Sequence, residues 1–389
     1  MKNYFHHVPT KLYFGKGQIC HLADSLDAYG KNVLFVYGGG SLKKTGLYDE
    51  VMKILNEGGF RVTECAGVEP NPRIETVRRG VGLCKENNID VVLAVGGGST
   101  IDCSKAIAAG VCYDGDLWQM VLEYNTIGVP ALPLVDILTV SATGSEFDGV
   151  AVISNPETRE KLAGRFNYPD VSICDPTYTF TVSAYQTAAG SIDIMSHILE
   201  GYFAQTADSD LSEGIAETIL RSVIKNLPIA LKEPDNYSAR ANLMANASLA
   251  CSKIPEYGKE DTGWPCHGIE HELSAYYDVT HGVGLAILTP RWMRHILKKD
   301  PSCAWRFAKF ARNVWGLEGE DELALAEAGI DALEAFFRES GVPMTLTELE
   351  IPDEHFEEMA EHASGGGRFK KSFVPLTPED VVEIFKACL

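Results

Sequence analysis

The sequence predicts an N-terminal α/β domain followed by an all-α C-terminal domain. Three observations indicate this fold class: apolar runs alternate with helical patterns in the first half, glycine-rich turns follow two of those runs, and helical periodicity dominates the second half. Alternating strands and helices are typical of a parallel sheet that is covered on both faces. A length of 389 residues also favours two domains over one. We place the domains at 1–181 and 182–389.

The strands expected in the first half are short apolar runs, and two of them lead into identical glycine quartets. Residues 31–37 (KNVLFVY) precede GGGS at 38–41, and residues 90–95 (DVVLAV) precede GGGS at 96–99. In the second half, apolar residues recur at three-to-four-residue steps after Ser183, which predicts a buried helix with Ser183 at its start. The remaining predicted elements are strands near 60–66 and 137–140 and helices over 47–56 and 74–87.

The composition excludes several classes of function. The formal net charge of −20 argues against a nucleic-acid partner and against docking on anionic lipid, because both need basic patches. The ten cysteines are scattered without a C-x-x-C pair, and no apolar stretch has the length of a membrane span. We therefore expect a cytoplasmic protein with reduced cysteines and no membrane partner.

The two glycine quartets predict phosphate binding. Glycines between a strand and a helix let the backbone approach an anion, and the N–H groups of the helix N-terminus attract its oxygens. In the second quartet we expect Ser99 to cap the helix, with Asp102 one turn further. The alternative is a pair of tight turns without a ligand, and neither quartet fits the G-x-G-x-x-G pattern. The first quartet lacks an acidic residue and is followed by Lys43 and Lys44, which favours NADP over NAD.

Carboxylate and imidazole side chains at helical spacing predict a metal site. Asp193 and His197 lie four residues apart, His267 and His271 repeat that spacing, and His281 follows. Such ligands suit Zn²⁺ or Fe²⁺, whereas the alternative is a set of buried polar groups without a metal. Spacing alone does not decide between His271 and His281 as the last ligand. The HGIEH sequence lacks the H-E-x-x-H arrangement of metalloproteases.

Several segments of the chain resemble one known family. They are YGGGSLKKTG at 37–46, VGGGS at 95–99 with Asp102 and Lys105, ATGSE at 142–146, DIMSH at 193–197, HGIEHELSA at 267–275 and THGVG at 280–284. Together they resemble the iron-containing (group III) alcohol dehydrogenases, and among these the NADPH-dependent butanol dehydrogenase branch. The resemblance extends over nearly the whole chain.

The resemblance implies a dehydroquinate synthase-like fold, with a dinucleotide-binding α/β domain and an all-helical metal-binding domain. It implies Asp193, His197, His267 and His281 as ligands of Fe²⁺ or Zn²⁺, and His271 beside the nicotinamide as a catalytic residue. Trp264 lies in a segment that departs from the family pattern, and we expect it to line the substrate pocket as the second catalytic candidate. The cofactor contacts that it implies are Gly38, Gly39, Ser41, Asn71, Gly97, Gly98, Ser99, Asp102, Thr139, Ser141, Thr143, Ser145, Lys161 and Tyr178.

The resulting hypothesis is hydride transfer between NADP(H) and a primary alcohol or aldehyde, by a homodimer. One alternative, with the same fold, is a glycerol-dehydrogenase-like polyol oxidoreductase. Another, from a different class, is a metal-dependent hydrolase. A hydrolase would not need the glycine quartets, and a non-catalytic nucleotide-binding protein would not need a complete ligand set.

Overall fold

The computed structural model describes residues 1–123 and 130–389. Internal contacts divide the chain into two compact units. The sheet unit consists of His7–Val182 and Pro234–Ser252, and the helical unit consists of Met1–His6, Ser183–Glu233 and Lys253–Leu389. The predicted division into 1–181 and 182–389 stays a prediction.

The fold class predicted from the sequence is confirmed, with a parallel sheet in the N-terminal part and helices in the C-terminal part. The strands are β1 Lys11–Phe14, β2 Asn32–Tyr37, β3 Arg61–Ala66, β4 Val91–Gly96, β5 Leu134–Leu138, β6 Val150–Asn155, β7 Glu160–Arg165 and β8 Val171–Cys174. In the described part of the chain, six of them form one sheet in the order β1-β8-β5-β4-β2-β3, and every neighbouring pair is parallel.

The helices are α1 Leu22–Asp27, α2 Ser41–Lys44, α3 Leu47–Glu57, α4 Ile74–Asn87, α5 Gly98–Val111, α6 Leu117–Leu122, α7 Ala184–Tyr202, α8 Asp210–Lys232, α9 Tyr237–Cys251, α10 Pro265–Tyr277, α11 His281–Lys299, α12 Ala304–Trp315, α13 Glu322–Glu339, α14 Phe356–Ala363 and α15 Pro378–Ala387. None of the helices within the described ranges has both the length and the apolar character needed to cross a bilayer.

The central strands are apolar throughout because helices cover both faces of the sheet. On β2, Leu34 and Val36 pack into a core formed with α4 and α5. Val33 and Phe35 point to the opposite face and pack with α1 and α3. Alternate residues of one strand therefore belong to two cores, which is why the run NVLFVY lacks the polar alternation of a half-exposed strand.

The sheet unit differs from the sequence predictions in several details, among them the strands β1 and β8, which were not predicted. The strand expected at 137–140 is β5, which begins at Leu134 and ends at Leu138. The antiparallel hairpin of β6 and β7 was not predicted: β6 (VAVISN) has only four consecutive apolar residues, and β7 (EKLAGR) has charged residues at both ends and no apolar run.

In the helical unit, α7 is the most deeply buried of the helices that carry candidate ligands. Ser183 caps it as predicted, because its hydroxyl accepts a hydrogen bond of 3.2 Å from the Gln186 backbone N–H. The first turn of α11 packs directly on α7: a Cβ on Gly282 would lie 2.0 Å from the Ala189 carbonyl oxygen. Glycine at this position lets the two helices approach closely enough to share a site.

Candidate functional site

The structure brings Asp193, His197, His267 and His281 together from three helices. Asp193 and His197 lie one turn apart on α7, His267 lies in the first turn of α10, and His281 begins α11. The Nε2 atoms of the three histidines lie 3.7, 3.9 and 3.6 Å from Asp193 Oδ1, in the order His197, His267, His281. Three imidazole nitrogens thus converge on one carboxylate oxygen.

The arrangement fits a divalent metal ion. Metal bonds of 2.0–2.2 Å in a tetrahedral site place neighbouring ligand atoms about 3.3–3.6 Å apart, close to the distances found here. Among the described residues, Asp193 Oδ1 and His267 Nε2 are buried polar atoms without a hydrogen-bond partner. Burying such atoms unpaired is costly, and a metal ion between them would satisfy both.

Burial also sets the charge of the imidazoles. Burial, and after it the neighbouring histidines, lowers the pKa of His267 well below its usual value. The ring is therefore neutral near pH 7, and neutral imidazole is the form that coordinates metals.

Two glutamates that the sequence analysis did not single out lie against this group. Glu200 Oε1 accepts a hydrogen bond of 2.8 Å from the His267 backbone N–H and lies 3.0 Å from His267 Nδ1. Glu270 Oε2 contacts His281 Nδ1. The sequence signal is a glutamate three residues after a histidine on one helix, which occurs at His197 and again at His267. Burial raises the pKa of the Glu200 carboxyl to about 8, and a divalent cation nearby acts in the opposite direction.

His271 and Trp264 flank the four converging residues. His271 lies one turn after His267 on α10, with its ring centroid 5.6 Å from that of His281. Trp264 precedes α10, with its ring 4.9 Å from His267 and 5.8 Å from His197. Its backbone has φ 51°, which is uncommon for a bulky residue and holds the indole against the histidine rings.

The residues predicted to bind the cofactor lie in the sheet unit, where the carboxyl ends of the central strands meet. Because β2 pairs with β4 and β4 with β5 in parallel, the segments after these strands lie at one edge of the sheet. Ligands of open parallel sheets bind at this edge. The residues predicted to contact the cofactor that follow these three strands, and so lie at this edge, are Gly38, Gly39, Ser41, Gly97, Gly98, Ser99, Thr139, Ser141 and Thr143.

The two glycine quartets differ in their surroundings. A Cβ on Gly39 or Gly40 would have no neighbour within 4 Å, so the first quartet borders open space at these two residues. A Cβ on Gly98 would lie 2.1 Å from Thr143 Oγ1, so that glycine is needed for packing against the segment after β5. The expected cap at Ser99 is wrong: the N-cap of α5 is Gly97, two residues earlier, and the Ser99 hydroxyl contacts the Pro70 carbonyl, next to Asn71.

The side chains of Asp102 and Ser145 are hydrogen-bonded to each other inside the sheet unit. The Ser145 hydroxyl donates to Asp102 Oδ1 at 2.5 Å, the Val152 N–H donates to Oδ2 at 2.9 Å, and Lys105 Nζ lies 2.9 Å from the hydroxyl. Burial raises the pKa of Asp102 to about 6, against the pull of Lys105. Their roles as cofactor contacts stay predictions, and the network already satisfies the carboxylate.

The other two predicted cofactor contacts also lie in the sheet unit. Lys161 is a buried residue of β7, and Tyr178 is half-buried in the turn after β8. Burial raises the pKa of the Tyr178 phenol above its usual value, so this side chain is neutral.

Comparison with known proteins identifies the family. Residues 9–176 match the iron-containing alcohol dehydrogenase family, and residues 187–389 match the C-terminal domain of the Fe-containing alcohol dehydrogenase family. The chain is 50% identical over 391 residues to NADH-dependent butanol dehydrogenase A of Clostridium acetobutylicum, covering 99% of each chain. It is 37% identical over 353 residues to the NADPH-dependent aldehyde reductase YqhD of Escherichia coli, covering 90% of this chain and 89% of the relative.

A solved structure shows the same fold. The crystal structure of NADH-dependent butanol dehydrogenase A from Thermotoga maritima superposes with a TM-score of 0.93 at 39% identity, covering 100% of this chain and 99% of the other. The chain therefore belongs to the iron-containing alcohol dehydrogenase family and is an oxidoreductase. Membership in this family implies a metal ion and a nicotinamide cofactor, and it removes the hydrolase alternative.

Proposed function

We propose that the chain is a metal-dependent alcohol dehydrogenase and aldehyde reductase that transfers hydride between NADP(H) and a primary alcohol or aldehyde of the butanol type. The observation that carries this proposal is the convergence of three histidine Nε2 atoms within 3.6–3.9 Å of Asp193 Oδ1. We assign Asp193, His197, His267 and His281 as the metal ligands. Fe²⁺ and Zn²⁺ both suit this donor set.

The residues of the chain bind and orient the reactants. When bound, the metal ion supplies Lewis-acid polarisation of the substrate oxygen, and the nicotinamide supplies or accepts the hydride. Trp264 presents an apolar face beside His197 and His267, where it excludes water and packs against an alkyl chain. His271, or a water chain, is the proposed path for the hydroxyl proton.

The proposal of a butanol-type substrate is based on the apolar surface of Trp264 and on the names of the relatives. Two of them are named butanol dehydrogenases, and a third is named an aldehyde reductase. A glycerol-dehydrogenase-like polyol substrate would need polar groups where Trp264 offers a ring.

The preference for NADP(H) rests on the segment that follows β2. Residues 38–41 contain no carboxylate that would repel a 2′-phosphate, and Gly39 borders open space. Lys43 lies nearby, with its ammonium 4.6 Å from the Tyr48 ring centroid. The names of the relatives differ on this point, since the butanol dehydrogenases are named NADH-dependent and YqhD is named NADPH-dependent.

We further propose a cytoplasmic homodimer. All ten cysteines are free thiols, which is consistent with a reducing compartment.

An aldehyde assay under anaerobic conditions tests the proposal. Purified protein stripped of metal is incubated with butyraldehyde and either NADPH or NADH, with and without added Fe²⁺ or Zn²⁺, and the absorbance at 340 nm is followed. We expect metal-dependent oxidation of the cofactor, faster with NADPH. The variant His267→Ala is expected to lose activity and bound metal while it still binds NADPH, whereas the control His362→Ala, at an exposed histidine, keeps all three. An absence of metal-dependent turnover across several aldehydes would contradict the proposal.

A further inference from the structure

We propose that Glu200 and Glu270 are positioning residues of the metal centre, which hold the rings of His267 and His281 so that their Nε2 atoms face the metal. This inference rests on the proposed metal ligands. It assigns a role to two buried carboxylates that act through the histidines they contact.

Glu200 controls the orientation of His267. It lies on α7, one turn after His197, and is 3% exposed. Its Oε1 atom accepts a hydrogen bond of 2.8 Å from the His267 backbone N–H and lies 3.0 Å from His267 Nδ1. The carboxylate thus contacts both the backbone and the side chain of one ligand. With Nδ1 engaged, the opposite nitrogen is the one that faces Asp193, at 3.9 Å.

Glu270 has the same role toward His281. It lies on α10, one turn after His267, and is fully buried. Oε1 accepts a hydrogen bond of 2.5 Å from the Ser274 hydroxyl, and Oε2 contacts His281 Nδ1. A Cβ on Gly284 would lie 2.7 Å from Glu270 Cγ and 2.8 Å from Oε1, so glycine in the first turn of α11 makes room for this carboxylate.

The two contacts follow one pattern across three helices. A glutamate on α7 holds the ligand on α10, and a glutamate on α10 holds the ligand on α11. In each case we infer that the carboxylate accepts a hydrogen bond from Nδ1–H, which fixes the tautomer that leaves the Nε2 lone pair for the metal. Burying a carboxylate without a partner is costly, so the histidine and the glutamate each need the other.

The test measures metal affinity in variants that keep side-chain shape but remove the negative charge. Glu200→Gln and Glu270→Gln are loaded with Zn²⁺, and the dissociation constant is measured by competition with a chelator. We expect Zn²⁺ to bind about 10–100-fold more weakly to each variant than to the unmodified chain. The matched control is Glu217→Gln, which replaces a buried carboxylate of α8 that bonds the Tyr202 hydroxyl at 2.9 Å and is expected to change affinity less than about twofold.

A purely structural role predicts a different result, because it would lower the stability of the metal-free protein and leave the affinity of the folded fraction unchanged. Thermal unfolding of the metal-free variants separates the two cases. For a variant that fails to fold, ¹⁵N spectra of histidine in the zinc-loaded, unmodified chain give the answer directly. Protons on Nδ1 of His267 and His281 support the inference, and protons on Nε2 overturn it. If the unmodified chain binds no metal, or if His267→Ala still binds it, the proposed function fails. If the unmodified chain binds metal through His267 but the glutamine variants bind Zn²⁺ as tightly as it does, this inference alone fails.

Discussion

At the residue scale, both ring nitrogens and the backbone N–H of the buried residue His267 face a carboxylate. Its backbone N–H and Nδ1 both meet Glu200, and Nε2 faces Asp193 with no hydrogen-bond partner among the described residues. Burial keeps the ring neutral by lowering its pKa. A residue in this state has one remaining capacity, which is to donate a lone pair.

Gly39 offers the sharpest residue-scale test of cofactor preference. A side chain there enters open space, and the glycine does not need positive φ, so substitution does not require rearrangement of the backbone. We expect Gly39→Asp to raise KM for NADPH by about 5–30-fold relative to NADH, because a carboxylate repels a 2′-phosphate by about 1–2 kcal/mol at short range.

The matched control is Gly39→Asn, which has the same shape without the charge. It should leave the ratio of the two KM values within about threefold of the unmodified chain. Steady-state kinetics with both cofactors at fixed butyraldehyde measure the ratio. Equal ratios in the aspartate and asparagine variants would show that this loop does not contact the 2′-phosphate.

At the element scale, the start of α15 is tied to the end of α11 by Asp380. Thr377 and Asp380 form a capping box, and Asp380 also bonds Lys299 at 2.5 Å and His295 at 3.0 Å. Burial acts to raise the pKa of Asp380, but the hydrogen bonds from Lys299, the Thr377 N–H and His295 outweigh it and lower the pKa to about 2. The cap therefore couples two helices through one carboxylate.

This depressed pKa predicts a pH-dependent contribution to stability. Since the folded pKa lies below the unfolded value near 3.9, the contribution is complete above about pH 5 and is lost as the pH falls toward 2. We expect Asp380→Asn to lower the free energy of unfolding by on the order of 1 kcal/mol at pH 6, after screening by solvent, and by less at pH 3. Urea unfolding at both pH values measures the difference. Glu361→Gln, at an exposed side chain of α14, serves as the control, and an effect of Asp380→Asn that does not change with pH would contradict the linkage.

The elements that the sequence predicts well are those whose pattern reflects burial alone. The apolar run of β2 and the periodicity of α7 correspond closely to the structure, since packing against a core determines both patterns. The hairpin of β6 and β7 carries a weaker pattern, because only four apolar residues begin β6 and charged residues stand at both ends of β7. Its pairing depends on contacts between the two strands, which periodicity does not encode.

The candidate site was predictable to a similar extent. The spacing of Asp193 and His197 shows that they share a face of α7, but spacing does not show which histidine of another helix meets them. The structure places His281 Nε2 3.6 Å from Asp193 because α11 begins at that residue, close against α7. Glu200 and Glu270 were not recognised because their role depends on contacts between helices.

At the scale of the whole molecule, the acidic excess is distributed unevenly along the sequence. The chain carries a net charge of −20, and the acidic stretch from Glu318 to Glu361 belongs to the helical unit. The glycine quartets and Lys43 belong to the sheet unit. Binding a polyanionic cofactor therefore depends on local backbone N–H groups and cations, against an unfavourable overall charge.

Metal binding should be visible in the stability of the whole chain. The proposed ligands lie on α7, α10 and α11, so an ion that binds them only in the folded state joins three helices of the helical unit. At a free metal concentration 100-fold above the dissociation constant, such binding stabilises the folded state by about 2.7 kcal/mol. For a unit of this size the thermal midpoint should rise by about 5–10 °C relative to the chelator-treated protein. This is an upper figure for Zn²⁺, since ten cysteines compete for it in the unfolded chain.

Differential scanning calorimetry of the metal-free and metal-loaded protein checks this prediction. The midpoint should rise further with each increase in free metal, because the linkage follows mass action. His267→Ala should remove the dependence on metal by deleting a ligand, and His362→Ala should retain it. The prediction is contradicted if the thermal midpoint of the unmodified chain does not change with added metal, or if that of His267→Ala still rises with it. Either result would show that the ion does not join these three helices through the proposed ligands.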